Sequence, residues 1–154
     1  SLMDILTVQR IKVPMVAQTK AGVIEELVDL LAGCGELPDR QAALAAVLER
    51  EQTRTTGIGG GLAIPHGKYP GPGRLVMAVG KPAQPVPFDS IDDRPVWLVI
   101  LLVGPAERIG EHIQALARIS RLASLDEFRK ALSRAGTAEE VFEVFRRGEH
   151  PPLP

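Results

Sequence analysis

Apolar residues recur at helical spacing in two segments near the start of the chain: Val23, Leu27, Leu30 and Leu31, then Ala43, Leu44, Val47 and Leu48. Thr19 is placed to cap the first helix, expected over 20–32, and Gly33 and Gly35 to end it. Asp39 opens the second, expected over 40–52. The period then changes. Positions 61–64, 75–79 and 96–103 form short apolar runs bounded by glycine and proline, the pattern of buried strands. Between the last two, 82–93 carries three prolines and reads as a loop with a brief extended piece near 86–88.

Helical spacing returns after Pro105. Ile109, Ile113, Leu116 and Ser120 share one face of a helix expected to end near Ala123. Ser124 followed by Glu127 predicts a capping box for the next helix, and Thr137 with Glu140 predicts another, whose helix turns Val141, Val144 and Phe145 inward. Helices, then strands, then helices imply a layered α/β domain with a sheet covered on its faces. The domain is expected over 3–148, with 149–154 as a flexible tail. Ser1-Leu2 ahead of Met3 reads as a remnant outside it.

Composition narrows the function classes. A chain of 154 residues, 45% apolar and 24% charged, has room for one domain with a real core. Its net charge of −1 gives no basic field for nucleic acid. The single cysteine, Cys34, forms no internal disulfide and fits a reducing, cytoplasmic setting. The longest apolar run, 95–105, is interrupted by Gly104 and is too short to cross a bilayer, so no membrane insertion is expected.

The most informative stretch is Gly57-Ile58-Gly59-Gly60-Gly61-Leu62-Ala63-Ile64-Pro65-His66-Gly67-Lys68. A glycine loop runs into a short strand that Pro65 stops, and the strand end presents His66 beside the bare backbone of Gly67. Lys68 adds a nearby cation. The glycines precede a strand, whereas dinucleotide and P-loop fingerprints lie between a strand and a helix, so a nucleotide cofactor is not expected. Nor is a metal: the three histidines form no HxH or HxxxH pair and no cysteine cluster accompanies them. A presented histidine with a cation and free amides suits accepting a phosphoryl group.

The other candidates have two readings each. His112 falls about 60° from the centre of its helix's apolar stripe, at the rim of the buried face, and the residues alone favour a structural or surface histidine over a functional one. Arg50 lies late in the second helix. Its planar fork either reaches over the glycine loop to phosphate oxygens or simply complements the helix C-terminus, and the residues alone favour the latter. Thr55 and Thr56 either donate hydroxyls to a phosphoryl group or make the turn. Phe88 and Trp97 read as packing, and Arg118 and Arg121 as a solvated helix face.

Taken together, Arg50-Glu51, Thr55-Thr56-Gly57-Ile58-Gly59, Gly61 to Lys68, Phe88-Asp89, Asp92, Pro95-Val96 and Glu111-His112-Ile113 with Leu116 resemble one family. It is the IIA domain of the fructose–mannitol class of the bacterial phosphoenolpyruvate-dependent sugar phosphotransferase system, which includes the nitrogen-regulatory IIA proteins. The likeness runs from about Leu6 to Phe145. Leu62 stands where isoleucine or valine is commoner, and Trp97 where the family often has a smaller or acidic residue. The resemblance implies a three-layer α/β/α fold with a mixed central sheet. It implies that His66 accepts phosphoryl from a histidine phosphocarrier protein, with His112 and Arg50 assisting and Thr55, Thr56, Gly67 and Lys68 around the group. Neither a metal nor an organic cofactor is implied. Downstream partners would be a IIB protein in sugar uptake or, in the reading preferred here, regulatory targets of the nitrogen branch.

Overall fold

The computed structural model describes residues 1–71 and 73–150. Five strands follow one path, β1 (Ile11–Met15), β5 (Val76–Pro82), β6 (Leu98–Gly104), β3 (Leu62–Ala63) and β2 (Gly57–Gly59), while β4 (His66–Lys68) also pairs with β6. β1 runs parallel to β5, β5 antiparallel to β6, β3 and β4 parallel to β6, and β2 antiparallel to β3, so the sheet is mixed.

Helices α1 (Lys20–Gly33) and α2 (Arg40–Thr53) cover one face, with Val23, Leu27, Val47, Ala78, Val99 and Leu101 among the buried side chains between them. Helices α3 (Ile109–Ala123), α4 (Asp126–Arg134) and α5 (Ala138–Glu149) cover the other, meeting Met77, Val79, Ile100 and Leu102. Alternate residues of β5 and β6 thus serve opposite cores, which is why β6 is apolar along its whole length. The result is the α/β/α sandwich expected from the sequence.

The caps divide. Thr19 accepts from the Gly22 amide, Asp39 from Ala42 and Thr137 from Glu140, as expected. Ser124 does not cap α4. Its hydroxyl donates backward to the Arg121 carbonyl at 2.6 Å, closing α3, and Leu125 occupies the cap position without a side-chain bond. The connection is too short to serve both helix ends, and the orphan carbonyls of α3 take the hydroxyl.

One strand escaped the pattern, and three further expectations need correcting. The pattern around Pro14 hid β1, which tolerates a proline because it is the edge strand beside β5. The strand ending at Pro65 does not end there. β3 and β4 pair with β6 in one register, Leu62 opposite Leu98 and His66 opposite Leu102, so Pro65 interrupts a strand path that resumes at His66. The buried face of α3 is His112, Ala115, Ile119 and Leu122, leaving Ile109 and Ile113 46% and 59% exposed. Finally, Leu2 and Glu149 are both held. Leu2 is buried, its amide donates to the Glu149 carboxylate, and Glu149 ends α5 with Arg118 at 3.4 Å, so neither Leu2 nor Glu149 is a loose end. The rest of the expected tail, 151–154, lies outside the described residues.

Candidate functional site

The chain leaves α2 at Thr53, turns through 54–56 into β2, reverses over the glycines and returns through β3 to His66. Gly61 sits at φ +83°, and a Cβ there would fall 2.1 Å from Trp97 Cδ1, so both conformation and space demand glycine. Trp97 packs over the loop, as its packing reading had it. At Gly67 the requirement is close approach: a Cβ would stand 3.0 Å from the Val47 backbone nitrogen. Gly67 therefore lets α2 lie against β4 and bring Arg50 toward His66. With Gly67 turned to α2, strand alternation turns His66 and Lys68 to the opposite face, toward α3.

His66 is half-buried where two cavities meet. One, of about 510 Å³, is lined by Arg50, Gly67, Lys68, Ile109, His112 and Ile113, and the other, of about 290 Å³, by Arg50, Thr55, Gly57, Ile58 and Ile91. The structure thus brings Arg50, His66, Gly67, Lys68 and His112 together. His66 Nδ1 lies 2.9 Å from the Ile64 carbonyl oxygen. A carbonyl only accepts, so Nδ1 carries the proton and Nε2 keeps its lone pair. Burial pushes the His66 pKa down, the Ile64 carbonyl opposes that, Arg50 lowers it further and Glu51 raises it. The net shift is downward, which keeps the ring neutral at pH 7.

His112 is 4% exposed, deeper than the rim position expected from the helix period. Burial lowers its pKa first of all. The Gly104 carbonyl works against this, and positive charge on His66 or Lys68 adds to the lowering. Its Nε2 is buried without a hydrogen-bond partner among the described residues. An unpaired buried nitrogen is costly, and His112 is among the residues lining the cavity that holds His66. Arg50 is half-buried and donates from Nη1 to the Arg54 carbonyl at 2.9 Å, so it satisfies the end of α2 and fronts both cavities at once.

The two threonines hold the turn that leads into β2. Thr55 Oγ1 donates to the Phe88 carbonyl at 2.7 Å and accepts from the Gly57 amide at 3.1 Å. Thr56 is buried, and its hydroxyl donates to Glu51 Oε1 while its amide donates to Glu51 Oε2 at 2.8 Å. Both hydroxyls donate inside the turn, and both residues line the smaller cavity beside His66. Glu51 escaped the reading of individual residues because a glutamate late in a polar helix is normally solvated. Its partners lie in a different element, beyond the reach of periodicity. Among the described residues no three His, Cys, Asp or Glu side chains are placed to hold a metal ion, and no helix is long and apolar enough to cross a membrane.

The chain is similar to known proteins along most of its length. A fructose-specific EIIA component of Haloferax volcanii is 38% identical over 126 residues, spanning 82% of each chain. A nitrogen regulatory protein of Pseudomonas aeruginosa is 34% identical, spanning 93% of each. The crystal structure of nitrogen regulatory protein IIA-Ntr from Neisseria meningitidis superposes with a TM-score of 0.86 at 31% identity, covering 94% of this chain and 99% of that one. The family model for the phosphoenolpyruvate-dependent sugar phosphotransferase system, EIIA 2, matches residues 4–148, and the chain belongs to that family.

Proposed function

We propose that this protein carries phosphoryl groups as a phosphohistidine on Nε2 of His66. The observation that supports it is the Nδ1 bond to Ile64, which leaves the Nε2 lone pair free in a half-buried, neutral ring. In the transfer, that lone pair attacks phosphorus on a histidine phosphocarrier protein. The new nitrogen–phosphorus bond forms as the carrier's breaks, and the carrier's ring nitrogen takes back the electron pair. Little covalent work remains for the protein beyond placement and charge stabilisation. Arg50, Lys68 and His112 surround the position the phosphoryl group would take, and His112 Nε2, unpaired at rest, would donate to it as N–H.

Onward transfer goes to a IIB protein in sugar uptake. In the regulatory branch, the added charge of roughly −1.5 to −2 changes which partners dock. The likeness to IIA-Ntr supports the regulatory reading, and the fructose-specific relative keeps the uptake reading beside it. Incubation with phosphoenolpyruvate and the general phosphotransferase proteins should add one acid-labile phosphoryl group by intact mass, and His66→Ala should add none. His112→Ala and Arg50→Ala should be slowed by about 10²–10⁴-fold, the usual worth of a positioned acid–base or electrostatic group. A wild-type protein left unlabelled by a competent carrier overturns the proposal. For the branch, pull-downs with wild type and His66→Ala should retain a partner in one phosphorylation state only. Rapid discharge to a purified IIB protein without such a partner favours uptake.

A further inference from the structure

We propose that Lys20 is a remote positioning residue for His66, acting through the Glu51 carboxylate at the other end of a hydrogen-bond chain. This rests on the reading of His66 as the phosphoryl acceptor. Lys20 Nζ lies 2.9 Å from Glu51 Oε2. Glu51 receives both the amide and the hydroxyl of Thr56. The Thr56 carbonyl accepts from the Ile64 amide at 3.0 Å, and the Ile64 carbonyl accepts from His66 Nδ1 at 2.9 Å. Four links therefore join the first residue of α1 to the reacting ring.

Two features mark Lys20 as more than a surface cation. It stands at the N-terminus of α1, where the helix dipole disfavours positive charge. A residue that breaks a local rule needs a compensating gain elsewhere. That gain is Glu51, whose side chain is 5% exposed and whose charge is tolerated only if paired. Among the described residues Lys20 is the one cation bridged to it. Lys20 also lies 3.6 Å from the Asp89 carboxylate and 5.2 Å from the centre of the Phe88 ring. The carbonyl of Phe88 holds Thr55, so the same ammonium braces the loop from two sides.

Lys20 does not touch the reacting atoms. It lines a separate cavity with Ile24, Leu48, Glu51 and Asp89, behind the turn that carries Thr55 and Thr56. Without the ammonium, the buried Glu51 carboxylate loses its bridging cation and draws in water. Thr56 then loses its fixed anchor, and with it Ile64 and the orientation of the imidazole. A misplacement of about 1 Å costs an enzyme up to about 10²-fold in rate, so a smaller displacement relayed from Lys20 is expected to cost about tenfold.

The test is single-turnover transfer from the phosphorylated phosphocarrier protein at increasing carrier concentration. It compares wild type, Lys20→Met, Lys20→Arg, Glu51→Gln and the double variant Lys20→Met/Glu51→Gln. Lys20→Met should lower the limiting rate about tenfold and leave the half-saturating carrier concentration unchanged, while Lys20→Arg, which keeps the charge, recovers most of the loss. In the Glu51→Gln background Lys20→Met should cost nothing further, because the chain is already cut. A wild-type limiting rate in Lys20→Met overturns the inference. So does the same loss repeated in the Glu51→Gln background, or a lowered melting temperature with the rate of the folded protein intact. If Lys20→Met does not fold, Lys20→Gln is read in the same cycle against the same outcomes. Wild type that accepts no phosphoryl group from a competent carrier overturns the His66 reading itself, a failure distinct from a normal wild type with an indifferent Lys20.

Discussion

His66 donates from Nδ1 to the carbonyl oxygen of Ile64, two residues earlier, across the break that Pro65 makes in the strand path. That short loop of backbone decides which ring nitrogen is reactive. In a neutral imidazole one nitrogen donates and the other accepts, and the donor here is committed to the protein. Phosphorylated protein should therefore carry its phosphoryl group on Nε2. Phosphorus and ring-nitrogen NMR of the labelled protein distinguishes the two isomers, and an Nδ1 linkage would require the Ile64 bond to break and the ring to turn over.

Both site histidines have depressed pKa values, in each case chiefly because burial disfavours the charged ring. The unfolded chain consequently binds more protons than the folded one below the ordinary histidine value of about 6.5, and stability rises with pH across that window. The contribution is complete above about 6.5 and is lost as pH falls through the folded values. The lowered carboxylates Glu26 and Glu143 act in the same direction, but only below their ordinary value of 4.5. Unfolding free energy measured between pH 7 and pH 5 should thus fall, and should fall less steeply in His112→Gln. Parallel pH profiles for wild type and variant would show that His112 ionises freely in the folded protein.

The layers were legible from the chain because each helix carries its own stripe and 75–79 and 96–103 are unbroken apolar runs. His66 stood out as a candidate because Pro65, His66 and Gly67 are adjacent in sequence. What escaped was whatever depends on partners far away along the chain. The turn at Thr56 looks like any polar turn until Glu51 is seen beneath it. Ser124 obeys the sequence pattern of a cap, yet the carbonyl of Arg121 competes for its hydroxyl and wins. On α3, apolar residues occupy two neighbouring stripes, and periodicity could not say which one meets the sheet. Ile109 and Ile113 resemble core residues in sequence. They are displaced outward because Ala115, Ile119 and Leu122 fill the space over β6.

That outward displacement makes a prediction of its own. Ile109 and Ile113 flank the cavity holding His66 and His112, and Ile58 and Ile91, 41% and 70% exposed, flank the second cavity on the other side of His66. Exposed isoleucines gathered around a reactive group suit a protein partner that must exclude water while it hands over a charge. Ile113→Glu introduces a carboxylate into that contact without touching the reacting atoms. It should raise the half-saturating concentration of phosphocarrier about tenfold, equivalent to about 1.4 kcal/mol of docking energy. Because Ile113 is 59% exposed in the free protein, unfolding free energy should stay within about 0.5 kcal/mol of wild type. Transfer kinetics as a function of carrier concentration, with a denaturant titration alongside, read both quantities. An unchanged concentration dependence in a folded Ile113→Glu would place the docking contact elsewhere on the rim, and a matching loss of stability would mean that Ile113 serves the fold.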